Sequence, residues 1–335
     1  MAGVNHAELA DWRHWLPIRF WQDEDTWSVD WCRFGDQPLH EPFFYDSVET
    51  ALRHPFNLAF RQRTDLQALL QWQSRSPGMP PTAFIFHASR CGSTLMTRML
   101  SRLDSHTVLS EPAPLDSALR AHYGQPMDMP EQAEWIRALL NAYGQRRRGS
   151  ERALVVKLDA WSIFELPLLR RCFPHTPWLF LYRDPLEITV SHLHAPGRHM
   201  VPGLIGASPL AITSEHAALS RPQFIARTLG RLLAAGLEQC RRHGGVAVNY
   251  AELPQAVTGR LAPMLALDRR DAAPMLAGAM HHAKRPGEVF EPDRARKRQA
   301  ADDATRAEVE LWARQPYAAL EALRVEQHAR APTRS

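Results

Sequence analysis

The chain is short of several features that would settle its class at once. It has four cysteines in 335 residues, Cys32, Cys91, Cys172 and Cys240, widely spaced and without a C-x-x-C pair. That excludes a disulfide scaffold and a thiolate zinc site, and it fits a reducing compartment. No run approaches the ~18 apolar residues that a membrane-spanning helix needs, so no span is expected. The opening MAGVNHAELADW lacks the basic and apolar stretches of a secretory leader, and a cytoplasmic location is expected. Lysine is nearly missing: Lys157, Lys284 and Lys297 stand within a Lys+Arg total of 40. Codon bias in a GC-rich genome accounts for the arginine excess, and it makes Lys157, at the end of an apolar run, conspicuous. A net charge of +4 is too small to indicate a nucleic-acid partner. No internal repeat is visible.

What is present is a 45% hydrophobic composition, enough for a sizeable core. Residues 1–80 form a lead rich in tryptophan (Trp12, Trp15, Trp21, Trp27, Trp31, Trp72). Within it, Trp27 to Cys32 reads as a strand, Gly35-Asp36 as a turn, and Ser47 to Arg53 as a helix start capped by Ser47. The aromatics read as a compact appendage on a catalytic core, with the lining of an acceptor cleft as the other possibility. Ser76 to Pro81, SPGMPP, reads as a linker. Residues 81–335 alternate short apolar runs (Ala83–Phe86, Thr107–Leu109, Ala153–Val156, Trp178–Tyr182, Val246–Asn249) with helical stretches, including Glu131–Tyr143, Ile225–Cys240 and Asp303–Leu323. That alternation predicts an α/β fold with a parallel sheet flanked by helices. Arg146-Arg147-Arg148 reads as a solvated loop. From Ala195 to Ala211 glycine and proline break every period, which predicts a mobile flap.

The segment TAFIFHASRCGST, Thr82 to Thr94, carries the most information. An apolar run passes through a short polar loop into a helical pattern, the order that builds a phosphate cradle from free N–H groups and a helix dipole. The NTPase pattern G-x-x-x-x-G-K-[ST] fails here: its first glycine is His87 and its lysine is Ser93. A thiol phosphatase loop fails too, since Arg98 lies seven residues after Cys91 rather than six. The run Trp178–Tyr182 ends in Arg183-Asp184-Pro185 and a second helical stretch, with Asp184 as a plausible N-cap. Arg183 and Ser191 then lie near a strand's carboxyl end, where ligands of open sheets gather, and a guanidinium there can grip a second phosphate.

RCGST resembles the 5′-phosphosulfate loop of sulfotransferases that use 3′-phosphoadenosine 5′-phosphosulfate (PAPS), [KR]-S-G-[TS]-T. LYRDPLEITVSH resembles their 3′-phosphate motif, with an Arg and a Ser eight residues apart, as Arg183 and Ser191 are. VAVNYAELP, Val246 to Pro254, is similar to the strand and turn that end the family's sheet. The likeness runs over roughly 81–267 and more faintly to about 297. It departs in two places: Cys91 stands for the loop serine, and Lys157-Leu158-Asp159 stands where the cytosolic branch has K-T-H.

The resemblance implies a P-loop-like fold, PAPS as co-substrate without a metal, and transfer to a hydroxyl or amine acceptor that the sequence does not name. Arg90 would stabilise the leaving group, with Cys91, Gly92, Ser93 and Thr94 completing the loop. Arg183 and Ser191 would bind the 3′-phosphate, joined by Lys284 and Arg285 from a basic loop. Lys157 would reach the bridging oxygen. Glu111, 21 residues after Arg90, holds the position of the carboxylate base of the Golgi and bacterial branches. Asp159 is the second candidate, with N-capping of the following helix as its plainer role. His87, His192 and His194 read as packing or surface groups, and His281-His282 lack a third ligand. A P-loop kinase or NTPase, and an inactive PAP-binding relative, are the competing readings.

Overall fold

A computed structural model of the chain describes residues 11–24, 26–124, 127–211, 219–279 and 299–330. The apolar runs pair as two sheets. Strands β1 (Trp15–Asp23), β2 (Thr26–Arg33) and β3 (Gln62–Asp65) form an antiparallel sheet in that order. Strands β4 (Ala83–His87), β5 (His106–Ser110), β6 (Ala153–Lys157), β7 (Trp178–Tyr182) and β8 (Val246–Asn249) form a parallel sheet in the order β5-β6-β4-β7-β8. Every residue of β4 to β7 is buried. That is why they read as unbroken apolar runs rather than alternating ones: helices cover both faces of a parallel sheet. Each expected strand lies within one residue of its observed ends.

The strand order decides where a ligand can sit. From β4 the chain moves toward the β5 edge, and from β7 it moves toward the β8 edge. The two connections diverge between neighbouring strands, which opens a crevice at their carboxyl ends. The segments singled out above, after β4 and after β7, flank that crevice. Ile85 and Ser110 both lie in register with Lys157, so β4, β5 and β6 end nearly level. The outer edge of β8 is closed by Gln327, from the helix Arg314–Arg330. Its amide accepts from Ala247 N–H and donates to Gly245 C=O, which removes a free strand edge.

The aromatic lead packs on this core. Phe20 stacks on Trp27 at 4.7 Å, and both meet Trp135 of the helix Met129–Tyr143. The Tyr143 hydroxyl donates to Pro17 C=O at 2.7 Å. The SPGMPP segment runs pinned along the same helix. Gly78 N–H donates to Asn141 Oδ1 at 2.6 Å and Met79 N–H to Gly144 C=O at 2.8 Å. A Cβ on Gly78 would lie 2.3 Å from the Asn141 carbonyl, so only glycine permits this approach.

Several local expectations are corrected. The first helix spans Phe44–Leu52, and Ser47 lies buried inside it; Asp46 accepts from Phe43 N–H instead. The long C-terminal helix is two helices, Asp303–Trp312 and Arg314–Arg330, broken at buried Ala313. There Gly230 lets the Trp312 carbonyl approach the helix Arg221–His243. The arginine run is not solvated throughout. Arg147 is buried and donates to Gly35 and Gln37 carbonyls at 3.0 and 2.8 Å, while Arg148 pairs with Glu151. The segment from Ala195 to Ala211 is likewise fastened, by Arg90 to Ala195 C=O, by Arg120 to the Ile205 and Ala207 carbonyls, and by Arg231 to Pro209 C=O. Guanidinium donors replace the hydrogen bonds that irregular backbone lacks. No helix among the described residues is long and apolar enough to cross a membrane, and no group of three or more His, Cys, Asp or Glu residues among them could hold a metal ion.

Candidate functional site

One wall of the crevice is the loop between β4 and the helix Ser93–Leu100. Ser89, Arg90 and Gly92 all have left-handed backbone, with φ of 65°, 50° and 88°. For Ser and Arg this conformation costs free energy, and such strain concentrates at binding sites. Gly92 is required twice over. Its φ favours glycine, and a Cβ would sit 2.6 Å from the Tyr250 ring. The first intrahelical bond runs from Met96 N–H to Gly92 C=O, so the N–H groups of Ser93, Thr94 and Leu95 start the helix without intrahelical acceptors. Cys91 turns its side chain into the core, where its thiol donates to Leu181 C=O at 3.1 Å. Burial pushes that thiol up to about 12 despite the helix start. Only the Cys91 backbone is therefore suited to a role in the loop.

The opposite wall is the start of the helix Pro185–His194. Asp184 caps it, accepting from Leu186 and Glu187 N–H at 3.0 and 3.3 Å, and Pro185 occupies the position where a helix tolerates proline. Arg183 is buried, with Nε 2.6 Å from Glu187 and its guanidinium 4.3 Å from the Tyr250 ring centre. Tyr250, just after β8, thus lies against both Arg183 and Gly92. Ser191 is half-buried two turns along the helix.

Beneath the crevice is a charged cluster. Glu111 follows β5 with φ 54°, another strained non-glycine residue, held by its N–H to Lys157 C=O at 2.8 Å. Its Oε1 lies 3.0 Å from Lys157 Nζ and 3.2 Å from His87 Nε2. Neither contact has the alignment of a good hydrogen bond. Lys157 is wholly buried, whereas the Glu111 side chain keeps 23% of its surface. Lys157 Nζ also faces the Phe43 ring at 4.6 Å. The lysine therefore lies under the carboxylate and has no open path to a ligand. Burial alone would raise the Glu111 pKa; the Lys157 charge and the His87 contact outweigh it and hold the carboxyl far below its ordinary range.

Asp159 has the opposite fate. It follows β6 at the N-cap position of the short helix Ala160–Glu165, but its side chain makes no capping bond. Burial, then the charges of Glu111 and Asp116, push its pKa well up. Two neighbouring carboxyls are thus driven apart in proton affinity, a pattern that separates acid–base roles. His199 completes the cluster. It is buried, packs near Trp161 and His192 at 5.6 and 5.5 Å, and has no Nε2 partner among the described residues. Burial is the leading cause, with the Arg90 charge nearby, and lowers it to about 3, so it is a neutral imidazole.

The fold thus gathers Arg90, Cys91, Gly92, Ser93, Thr94, Arg183 and Ser191 around one crevice and sets Glu111, Lys157 and Asp159 together beside it. Lys284 and Arg285 lie outside the described residues. Sequence reasoning set His87 aside as a packing group and gave Tyr250, His199 and Phe43 no role. His87 stands five residues before Gly92 in the most informative segment, and Tyr250 lies in the turn already matched to the family. Nothing local marked His199 or Phe43.

No family model matches the chain, and no curated protein matches it. Solved structures do. A sulfotransferase domain from the curacin biosynthetic pathway aligns at 16% identity over 62% of this chain and 80% of its own, with a TM-score of 0.41. A sulfotransferase from Mycobacterium tuberculosis H37Rv aligns at 15% identity over 65% of this chain and 80% of its own, TM-score 0.37. The sulfotransferase domain of an olefin synthase from Synechococcus PCC 7002 aligns at 18% identity over 74% of this chain and 95% of its own, TM-score 0.39. These are distant likenesses of fold, and the chemistry that follows rests on the chain's own residues.

Proposed function

We propose that this protein transfers a sulfuryl group from PAPS to a hydroxyl or amine acceptor. The observation that carries the reading is the pairing across one crevice of a strained, lysine-free loop at a helix start with a buried arginine at the neighbouring strand end. Two separate anion sites suit a nucleotide phosphorylated at both its 5′ and 3′ positions. The loop N–H groups and Arg90 take the 5′ side, and Arg183 with Ser191 takes the 3′-phosphate. The acceptor oxygen or nitrogen attacks sulfur and forms the new S–O or S–N bond as the bond to the phosphate oxygen breaks. Arg90 offsets charge on that leaving oxygen, and the acceptor proton passes to a carboxylate.

Asp159 fits the proton-accepting role better than Glu111. A carboxyl held far below its ordinary range is a weak base, whereas one raised above it is the stronger base in its ionised form. Glu111 then serves as the fixed anion that compensates Lys157. The test is thermal melting of the full chain. PAP without divalent metal is expected to raise Tm, and labelled PAPS is expected to yield PAP with an acceptor. Stabilisation by ATP with Mg²⁺ but not by PAP would indicate the P-loop kinase reading instead. PAP binding without turnover across an acceptor panel would indicate an inactive relative.

A further inference from the structure

The last residue of β4, His87, is buried and faces two parts of the site at once. Its Nδ1 accepts from Ser89 N–H at 3.0 Å. An accepting Nδ1 carries no proton, so in the neutral ring the proton is on Nε2. Nε2 lies 3.2 Å from Glu111 Oε1. Burial is the leading influence on the ring and keeps it neutral. A ring with its only lone pair engaged cannot serve as a base. What it can do is hold the left-handed backbone at Ser89 with one nitrogen and present an N–H to Glu111 with the other.

We propose that His87 is a bifunctional positioning residue that ties the geometry of the phosphate loop to the Glu111–Lys157 pair. It builds on the sulfuryl-transfer reading, because the two ends it joins are the donor-binding loop and the acceptor-side carboxylate of that reaction.

Two amide replacements separate the two nitrogens. In His87→Asn, Oδ1 can still accept from Ser89 N–H but nothing reaches Glu111. In His87→Gln, Nε2 can still approach Glu111 but the Ser89 bond is lost. His87→Asn is expected to keep PAP affinity within about twofold and to lose turnover about tenfold or more. His87→Gln is expected to show the reverse, since losing a partner for one buried polar group corresponds to about tenfold. Equal losses of both quantities in both variants would overturn the proposal, as would wild-type values in both. A readout free of substrate comes from ¹⁵N NMR of the wild-type imidazole, which is expected to show the Nε2–H tautomer. A proton on Nδ1 sinks the assignment. Failure of wild-type protein to bind PAP would sink the donor reading instead, with the tautomer still deciding what His87 does.

Discussion

The two walls of the crevice are built differently. The proposed donor side is local: strand, loop and helix start follow one another from Ala83 to Leu100, and Arg183 and Ser191 share one strand–helix junction. Its strain is backbone strain at adjacent residues, and its arginine is steadied by a glutamate one helical turn away. The proposed acceptor side is composite. Glu111, the Lys157–Asp159 stretch and His199 come from three separate segments, with a ring from the aromatic lead, Phe43, over the lysine. Donor binding can therefore be damaged by changes within a short stretch. The chemistry of the acceptor side depends on how distant segments set one another's charge.

The sharpest way to break this division is Asp159→Asn. With the proton acceptor removed, turnover is expected to fall by about 10²–10⁴, while PAP titration stays close to wild type. Near-normal turnover would return the base role to Glu111. Arg183→Ala attacks the other wall. It removes a charged partner from a bound phosphate, an expected loss of about 2–5 kcal/mol in PAP affinity by calorimetry. If PAP affinity were unchanged, the 3′-phosphate site would have to lie elsewhere.

A smaller effect should appear in acid. The folded pKa of His199, about 3, lies below the ordinary 6.5. Between those values the unfolded chain binds the extra proton, so this residue's contribution to stability is full above about pH 6.5 and declines as pH falls toward 3. His199→Gln is expected to shallow the fall of Tm with acidification across that window. An identical slope would mean that the imidazole is solvated. The smallest effect is expected at Cys91. Cys91→Ser keeps a donor for Leu181 C=O and should move Tm by no more than a few degrees. The native thiol should resist iodoacetamide at neutral pH, because burial, not the helix dipole, governs it. Rapid alkylation would show that the loop opens.

Much of the frame was legible in the chain. The five core strands were readable because a strand buried on both faces has no polar alternation to blur it. Helix 185–194 was readable from Asp184 and Pro185. Misreadings arose where a polar residue's partners are far away in sequence. Arg147 looks like surface until Gly35 and Gln37 present their carbonyls to it. The stretch after Ala195 looks loose until Arg120 and Arg231 reach it. Asp159 looks like a cap, yet its side chain caps nothing.

The sequence by itself determined the parallel sheet, the strand–loop–helix segment after β4 and the arginine at the next strand end. Each is a contiguous signal, set by burial period, turn chemistry and helix capping within a few residues. Tertiary structure alone decided how the two carboxyls differ in proton affinity. Lys157 and His87 converge on Glu111 only because β4, β5 and β6 end level in the sheet. Asp159 rises because it shares that buried space with two other carboxylates. Proton affinity is a sum over spatial neighbours and lost solvent, and neither is written along the chain.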